Sequence, residues 1–170
     1  YTLRSAYDAH DVRRVATEFP RAYAVDSISE PLLISLLQDI FRKNKFKDGQ
    51  LQILLRSLGL QPVIGLLPTG AGKSVCYQMS ALMQPGMTIV VDPILSLMKD
   101  QETNLKSIYA IDWVQKISSL DNHAAKETVA QDMSVGRIKI LLLTPERLHM
   151  QPFRERLASF CFGYPIPYAV

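Results

Sequence analysis

The chain has 170 residues, of which 48% are hydrophobic and 21% are charged, which argues against a disordered protein. The net charge of +3 comes from interleaved basic and acidic residues, so bulk charge does not identify a nucleic-acid binder. The cysteines and histidines lack the spacing of metal ligands, which favours a reduced, intracellular setting. No apolar stretch approaches the roughly 20 residues that span a bilayer, so we expect no membrane partner.

The first part of the chain is predicted to be helical. Residues 1–30 have an irregular helical pattern that Pro20 ends or bends. Ser29 is a candidate N-cap, and Pro31 suits the first turn of the next helix. A second amphipathic helix is predicted to begin near Asp48.

From residue 62 onward, apolar runs with the composition of strands alternate with helical patterns. The predicted strands are residues 62–67, 87–91, 138–143 and 167–170, and residues 109–117 are predicted to be a region of strand and loop. The predicted helices are residues 74–83, 95–105, 122–134 and 152–160. This alternation predicts an α/β fold with a mainly parallel sheet, and ligands bind such sheets at the carboxyl ends of the strands.

The most specific pattern is the glycine-rich stretch LPTGAGKS, which follows an apolar run and opens a helix. Its glycines let backbone N–H groups approach phosphate oxygens, and the helix N-terminus favours an anion. Leu67 stands where the strict pattern has glycine. We predict a P-loop for ATP and Mg²⁺, in which Lys73 reaches the β- and γ-phosphates and the Ser74 hydroxyl binds the metal ion. The predicted nucleotide-binding residues of the loop are Thr69, Gly70, Ala71, Gly72, Lys73 and Ser74, the last two being catalytic.

Several blocks around this loop resemble the RecQ-like DNA helicases of superfamily 2. The sequence SVCYQMSAL after the loop is similar to the block that follows the P-loop in that family. VVDPILSLMKDQ, at residues 90–101, resembles the family's motif Ia, and LTPERL, at residues 143–148, resembles motif Ib. The resemblance covers residues 37–148 and implies the front part of the first RecA-like motor domain, in a protein that moves 3′ to 5′ along DNA.

A further block, which contains Phe46 and Gln50, resembles motif 0 of the same family. The resemblance implies that Gln50 reads the adenine edge, because a carboxamide can donate to N7 and accept from the N6 amino group at once. It also implies that Phe46 or Lys47 packs beside the base. Lys47 stands where the family usually has Arg, and Arg42 stands where it usually has Gly.

Motifs Ia and Ib imply contacts with single-stranded DNA. Asp92 replaces a residue that is commonly Ser in the family, and an unpaired carboxylate would repel phosphate, so we do not expect it to touch DNA. For the motif Ia residues the alternative is a solvated helix face. The candidate contacts, whose side chains can donate to phosphate or sugar oxygens, are Ser96, Lys99, Gln101, Thr144 and Arg147.

Two domains are expected. Residues 1–36 match no motif and are predicted to be a helical N-terminal extension, and residues 37–170 are predicted to be a partial RecA-like ATP-binding domain. No acidic residue follows Glu155, so the chain lacks the DExH box that ATP hydrolysis needs in this class, and residues 167–170 look like the strand that leads into it. Whether that box follows Val170 separates a motor from a module that only binds nucleotide. The chain by itself is therefore expected to hydrolyse very little ATP.

These features predict that the parent protein is an ATP-dependent DNA helicase or translocase. Its expected partner is single-stranded or forked DNA, in the cytoplasm (nucleoid) or the nucleus, with other subunits of a DNA-processing complex as further candidates. One alternative is a helicase-like regulatory subunit of a DNA-processing or defence assembly that binds nucleotide without motor activity. Another is a different P-loop enzyme such as a small-molecule kinase, and motifs Ia and Ib argue against it.

Overall fold

The computed structural model describes residues 18–24, 28–161 and 163–170, which form two compact units. The first, Phe19–Pro85, is called the P-loop unit below, and the second, which contains Gly86–Val170, is called the sheet unit. Much of the predicted N-terminal helical segment lies outside the described residues, and residues 18–24 contain no helix. Within the described ranges, no helix has both the length and the apolar character needed to cross a membrane.

The P-loop unit is helical in its described part. Its helices are α1 (Glu30–Phe41), α2 (Gln50–Leu58) and α3 (Lys73–Met83). Leu33, Leu37 and Phe41 are buried at four-residue spacing, so α1 presents one apolar face. Helix α1 runs without a break through residue 36, where the sequence predicts the start of the RecA-like domain. That boundary stays a prediction.

Helix α1 ends on a residue in the left-handed conformation. Arg42 has a φ of 55°, and its N–H donates to the carbonyl of Gln38 over 3.0 Å. A residue with a Cβ in this conformation costs about 1 kcal/mol relative to glycine. The backbone geometry therefore gives a physical reason why glycine suits this position in the family that the chain resembles.

The segment before α1 is tied to the C-terminal ends of α2 and α3. The buried Gln84 side chain accepts from the Arg21 N–H over 3.0 Å and donates to the Arg21 carbonyl over 2.6 Å. The Tyr23 N–H donates to the carbonyl of Leu58 over 3.0 Å. Residues 21–23 are thus part of the P-loop unit.

The predicted buried strand at residues 62–67 is wrong. This segment is not a strand, and the Ile64 and Leu66 side chains are each 90% exposed. A strand needs a neighbour to satisfy its backbone N–H and C=O groups. Among the described residues every strand pair lies in the sheet unit. Residues 62–67 therefore have no strand to pair with, and their apolar composition alone does not make them a strand.

The sheet unit contains a four-stranded parallel sheet. Its strands are β1 (Thr88–Val91), β2 (Val114–Ile117), β3 (Ile140–Leu143) and β4 (Tyr168–Ala169). Their order is β2-β3-β1-β4, and β1 pairs with β3 from Thr88 opposite Ile140 to Val91 opposite Leu143. All of β3 is buried, as is typical of a parallel sheet that is covered on both faces. The predicted α/β fold with a mainly parallel sheet is confirmed.

Helices cover both faces of this sheet. They are α4 (Leu95–Thr103), which continues into a π-helical segment (Asn104–Ile108), α5 (His123–Ser134), α6 (Pro145–His149) and α7 (Gln151–Cys161). Right-handed β1-α4-β2 and β2-α5-β3 connections run in opposite directions across the sheet, which places α4 and α5 on opposite faces. On the α5 face, Met133, Phe153 and Phe160 pack with Leu141 and Leu143 in one apolar cluster.

The carboxyl edge of the sheet positions the two motifs of this unit. Asp92, Ser118 and Thr144 directly follow β1, β2 and β3. The Asp92 N–H donates to the carbonyl of Leu143 over 3.0 Å, which extends the β1–β3 pairing by one bond. Motif Ia therefore leaves the sheet beside motif Ib.

Candidate nucleotide-binding site

The predicted P-loop connects residues 62–67 to α3 and is shaped by two glycines. Gly70 and Gly72 have φ values of 78° and 74°, in the left-handed region where glycine is favoured. A turn bond of 3.1 Å joins the Ala71 N–H to the Pro68 carbonyl, and Gly72 occupies the N-cap position of α3. The first N–H groups of a helix have no carbonyl partner within the helix, so the loop delivers donors to its open end.

Gln50 connects motif 0 to this loop. Its Nε2 donates to the carbonyls of Ala71 and Gly72 over 2.8 and 2.9 Å. Its Oε1 accepts from the Lys47 N–H over 2.8 Å, and the residue is only 2% exposed. The structure thus places the amide of Gln50 on the backbone of the P-loop, and reading of the adenine edge by Gln50 stays a prediction.

Two lysine ammonium groups lie on the carbonyls of the loop. Nζ of Lys73 donates to the Pro68 carbonyl over 3.3 Å, and Nζ of Lys47 donates to the Gly70 carbonyl over 2.7 Å. Both residues are exposed, and neither forms an ion pair with a carboxylate of the described ranges. Two uncompensated positive charges therefore lie at the loop.

The remaining predicted nucleotide residues differ in exposure. Thr69 is exposed on the loop, whereas Phe46 and the first-turn residue Ser74 are half-buried. Cys76 lies deeper, with its Sγ 3.8 Å from the Gln50 carbonyl, and burial raises the pKa of its thiol. A buried thiol that stays protonated suits a packing role for Cys76 behind the loop.

In motif Ia, the Asp92 carboxylate organises the start of α4. Its Oδ1 accepts from the Ile94 N–H over 2.8 Å, and its Oδ2 accepts from Nε2 of Gln101 over 3.4 Å. Gln101 is buried, whereas Ser96 and Lys99 are exposed on the same helix. Of the three candidate DNA contacts in motif Ia, two lie on the surface and one holds Asp92.

In motif Ib, Thr144 and Arg147 are buried rather than exposed. The Arg147 guanidinium lies 5.1 Å from the centre of the Phe153 ring, and its Nη1 contacts the sulfur of Met150 at 3.2 Å. Burial lowers the pKa of Arg147. Within the described part of the chain, Oγ1 of Thr144 and Nε of Arg147 have no hydrogen-bond partner. Each unpaired buried group costs about 1–3 kcal/mol, so both retain capacity for a further partner.

Asp121, which the sequence offered only as an alternative to Asn122 for the cap of α5, lies in the turn after β2 at the same edge. Burial by itself raises the pKa of the Asp121 carboxyl. Hydrogen bonds from the Ser118 N–H (2.6 Å) and hydroxyl (3.0 Å), together with the charges of Lys116 and Lys126, outweigh burial, so the pKa lies below its usual value. Its negative charge also favours the charged form of Arg147. A serine three residues before an aspartate, directly after an apolar strand, is the signal that could have revealed this turn.

A glycine loop at the start of a helix and a parallel sheet with helices on both faces define an α/β protein of the P-loop class. The sequence model of the DEAD/DEAH box helicase family matches residues 47–161. This match covers more than half of the chain, and the chain therefore belongs to the DEAD/DEAH box helicase family.

Individual relatives agree with this assignment. The chain is 42% identical over 120 residues to "ATP-dependent DNA helicase Q-like 5" of Arabidopsis thaliana, a match that covers 71% of this chain and 13% of the relative. It is 40% identical over 115 residues to "ATP-dependent DNA helicase RecQ" of Bacillus subtilis, with coverage of 67% and 19%. It is 30% identical over 138 residues to the protein of that name from Haemophilus influenzae, with coverage of 79% and 22%. The predicted resemblance to RecQ-like helicases is confirmed, and the chain matches less than a quarter of each relative.

Proposed function

We propose that this chain is the ATP-binding front part of the first motor domain of a RecQ-type, ATP-dependent DNA helicase. The observation that carries the proposal is the pair of ammonium groups, Lys73 and Lys47, at a glycine loop that opens α3. A positive loop at a helix N-terminus suits a polyphosphate. The names of the similar proteins support ATP as the nucleotide and DNA as the substrate.

In this proposal the loop residues hold the phosphates. Backbone N–H groups of residues 69–74, other than that of Ala71, would donate to the phosphate oxygens, and Lys73 would exchange its carbonyl partner for the β- and γ-phosphates. The adenine is contacted by Gln50 and by either Phe46 or Lys47. The Ser74 hydroxyl is a hard oxygen donor of the kind Mg²⁺ prefers, and Mg²⁺ usually takes few protein ligands together with phosphate oxygens and water. Within the described ranges no cluster of His, Cys, Asp and Glu that could hold a metal ion by itself is found. The ion would neutralise charge on the phosphates.

The DNA track in this proposal runs over motifs Ia and Ib. Ser96 and Lys99 reach phosphate or sugar oxygens directly from the surface of α4. Gln101 contributes by holding Asp92. Thr144 and Arg147 supply the two unpaired polar atoms of motif Ib, which a DNA strand could satisfy after a small movement of the loop.

The proposal extends to organisation and setting. Residues 37–170 belong to the partial RecA-like domain and residues 1–36 to an extension. The complete protein acts inside the cell, on single-stranded or forked DNA in the nucleoid or the nucleus.

The direct test is ATP binding by this chain, measured by calorimetry, with the variant Lys73→Ala. We expect the variant to lose ATP binding while its unfolding midpoint is unchanged, because Lys73 is exposed and, within the described ranges, its ammonium donates only to the Pro68 carbonyl. Unchanged ATP affinity in Lys73→Ala would refute the assignment of Lys73.

A further inference from the structure

Helices α2 and α3 lie side by side and run in the same direction. At their N-terminal ends, Nε2 of Gln50 donates to the carbonyl of Gly72, the N-cap residue of α3. At their C-terminal ends, Nε2 of Gln84, the residue that follows α3, lies 3.5 Å from the carbonyl of Leu58, the last residue of α2. The two helices are therefore joined at both ends, and the P-loop lies at only one of them.

A short segment before α1 closes the C-terminal ends of these helices. Residues 21–23, called the strap below, contain neither helix nor strand. The last carbonyls of a helix have no partner within the helix. The Tyr23 N–H donates to the carbonyl of Leu58 over 3.0 Å, and the Tyr23 hydroxyl donates to the carbonyl of Met83, the last residue of α3, over 3.5 Å. One residue of the strap thus caps both helices.

Gln84 holds the strap through both backbone groups of one residue. Its Oε1 accepts from the Arg21 N–H over 3.0 Å, and its Nε2 donates to the Arg21 carbonyl over 2.6 Å. Gln84 is 3% exposed, so its amide is shielded from water and its bonds are strong. Helix α3 has 11 residues, which puts roughly 15 Å between Gln84 and the P-loop. At that distance Gln84 makes no contact with a phosphate held by the loop.

We infer that the strap positions the nucleotide site. By fixing α2 against α3 at their C-terminal ends, it keeps Gln50 in register with the carbonyls of Ala71 and Gly72. The two hydrogen bonds from Gln50 are 2.8 and 2.9 Å long, and such bonds weaken steeply when they are misaligned, so a small tilt of α2 changes the loop. The inference rests on the proposed nucleotide site, and it gives a role to a part of the chain that matches no motif.

The test is the variant Gln84→Met, which nearly keeps the volume of the buried side chain and removes both bonds to Arg21. Calorimetry measures the binding of ATP and of inorganic tripolyphosphate to the 170-residue chain and to the variant, under conditions in which unfolding curves show both to be folded. We expect the variant to bind both ligands about three- to tenfold more weakly, the usual size of an effect transmitted through packed elements. The matched control is Gln52→Met, the same change at an exposed position of α2, which should bind both ligands as the parent does.

The variant Gln84→Glu adds a pH profile. As a neutral acid the new side chain can accept from the Arg21 N–H and donate to the Arg21 carbonyl, whereas as a carboxylate it can only accept. Its loss of affinity relative to the parent should therefore shrink as the pH falls from about 8 to about 5. Gln52→Glu should show no such trend. If Gln84→Met does not fold, this pH series decides the question.

Three results would overturn the inference while the nucleotide site stands. The first is a lower unfolding midpoint of Gln84→Met with unchanged affinity for both ligands, which would limit the strap to stabilising the fold. The second is equal weakening by Gln52→Met, and the third is a loss in Gln84→Glu that does not change with pH. If the parent chain binds neither ligand, the proposed nucleotide site fails and the inference fails with it.

Discussion

The replacement Gln50→Glu tests whether motif 0 holds the P-loop. It is nearly isosteric, but it puts a carboxyl oxygen where Nε2 now donates to Ala71 and Gly72, at a position that is 2% exposed. As a neutral acid the new side chain can donate to one of the two carbonyls, and the lost bond and imperfect fit cost about 2 kcal/mol. As a carboxylate it would be buried against two carbonyl dipoles, so its pKa is raised above that of an exposed glutamate.

A raised pKa in the folded state makes the destabilisation depend on pH. The folded chain then holds a proton that the unfolded chain has already released, so stability is lost as pH rises above the unfolded pKa. With about 1.4 kcal/mol for each pH unit while the folded chain keeps its proton, the loss grows from about 2 kcal/mol at pH 5 to roughly 5 kcal/mol at pH 7. Urea unfolding of both proteins at the two pH values measures this difference.

The control for this experiment is Gln52→Glu, the same chemical change at an exposed position of α2. That variant should stay within about 0.5 kcal/mol of the parent at either pH. Equal stability of Gln50→Glu and Gln52→Glu would refute the hydrogen bonds between Gln50 and the loop. If Gln50→Glu binds tripolyphosphate more weakly and Gln52→Glu does not, the shape of the loop depends on the hydrogen bonds from Gln50.

Two further predictions concern a glycine and a buried lysine. Gly72→Ala should lower the free energy of unfolding by about 1 kcal/mol more than Gly70→Ala does. Both glycines have a positive φ, but only a Cβ at residue 72 would lie 2.9 Å from Nε2 of Gln50. Equal losses of the two variants in urea unfolding would contradict this contact. Lys139 is 6% exposed with Nζ on the Gly86 carbonyl, and burial lowers its pKa to about 8. Above pH 8 the folded chain has released this proton while the unfolded chain still holds it, so stability rises with pH. Between pH 7.5 and 10 the free energy of unfolding of the parent should rise by about 2 kcal/mol relative to that of Lys139→Met. Parallel curves of stability against pH for the two proteins would contradict the lowered pKa of Lys139.

Local signals were the most reliable part of the sequence. The sequence offers Asp121 or Asn122 as the cap of α5, and in the structure Oδ1 of Asn122 accepts from the Ala125 N–H over 2.8 Å. Capping of this kind depends only on neighbours in the chain. Ser29 precedes α1 as predicted but makes no capping bond with its side chain. The strands around residues 89 and 141 were also predictable, since fully apolar runs of that length suit a buried parallel sheet.

The rest depends on contacts between distant residues. The apolar run at residues 62–67 has the composition of a strand, but strand formation needs a partner that composition does not specify. Gln101 and Arg147 are polar residues of helices, and the helical pattern does not specify their contacts with Asp92 and Phe153, which lie outside those helices. The sequence placed Gln50 near the P-loop through resemblance alone, and its two carbonyl partners follow only from the packing of α2 against α3.

The central claim is that this chain binds ATP as part of an ATP-driven motor that acts on DNA. The most direct measurement is the rate of ATP hydrolysis by the complete protein that carries this chain, with and without single-stranded DNA, for the parent and for Lys73→Ala. The account predicts that DNA raises the rate of the parent many-fold and that the variant is inactive in both conditions. A parent rate that does not respond to single-stranded DNA, or a variant as active as the parent, would contradict it.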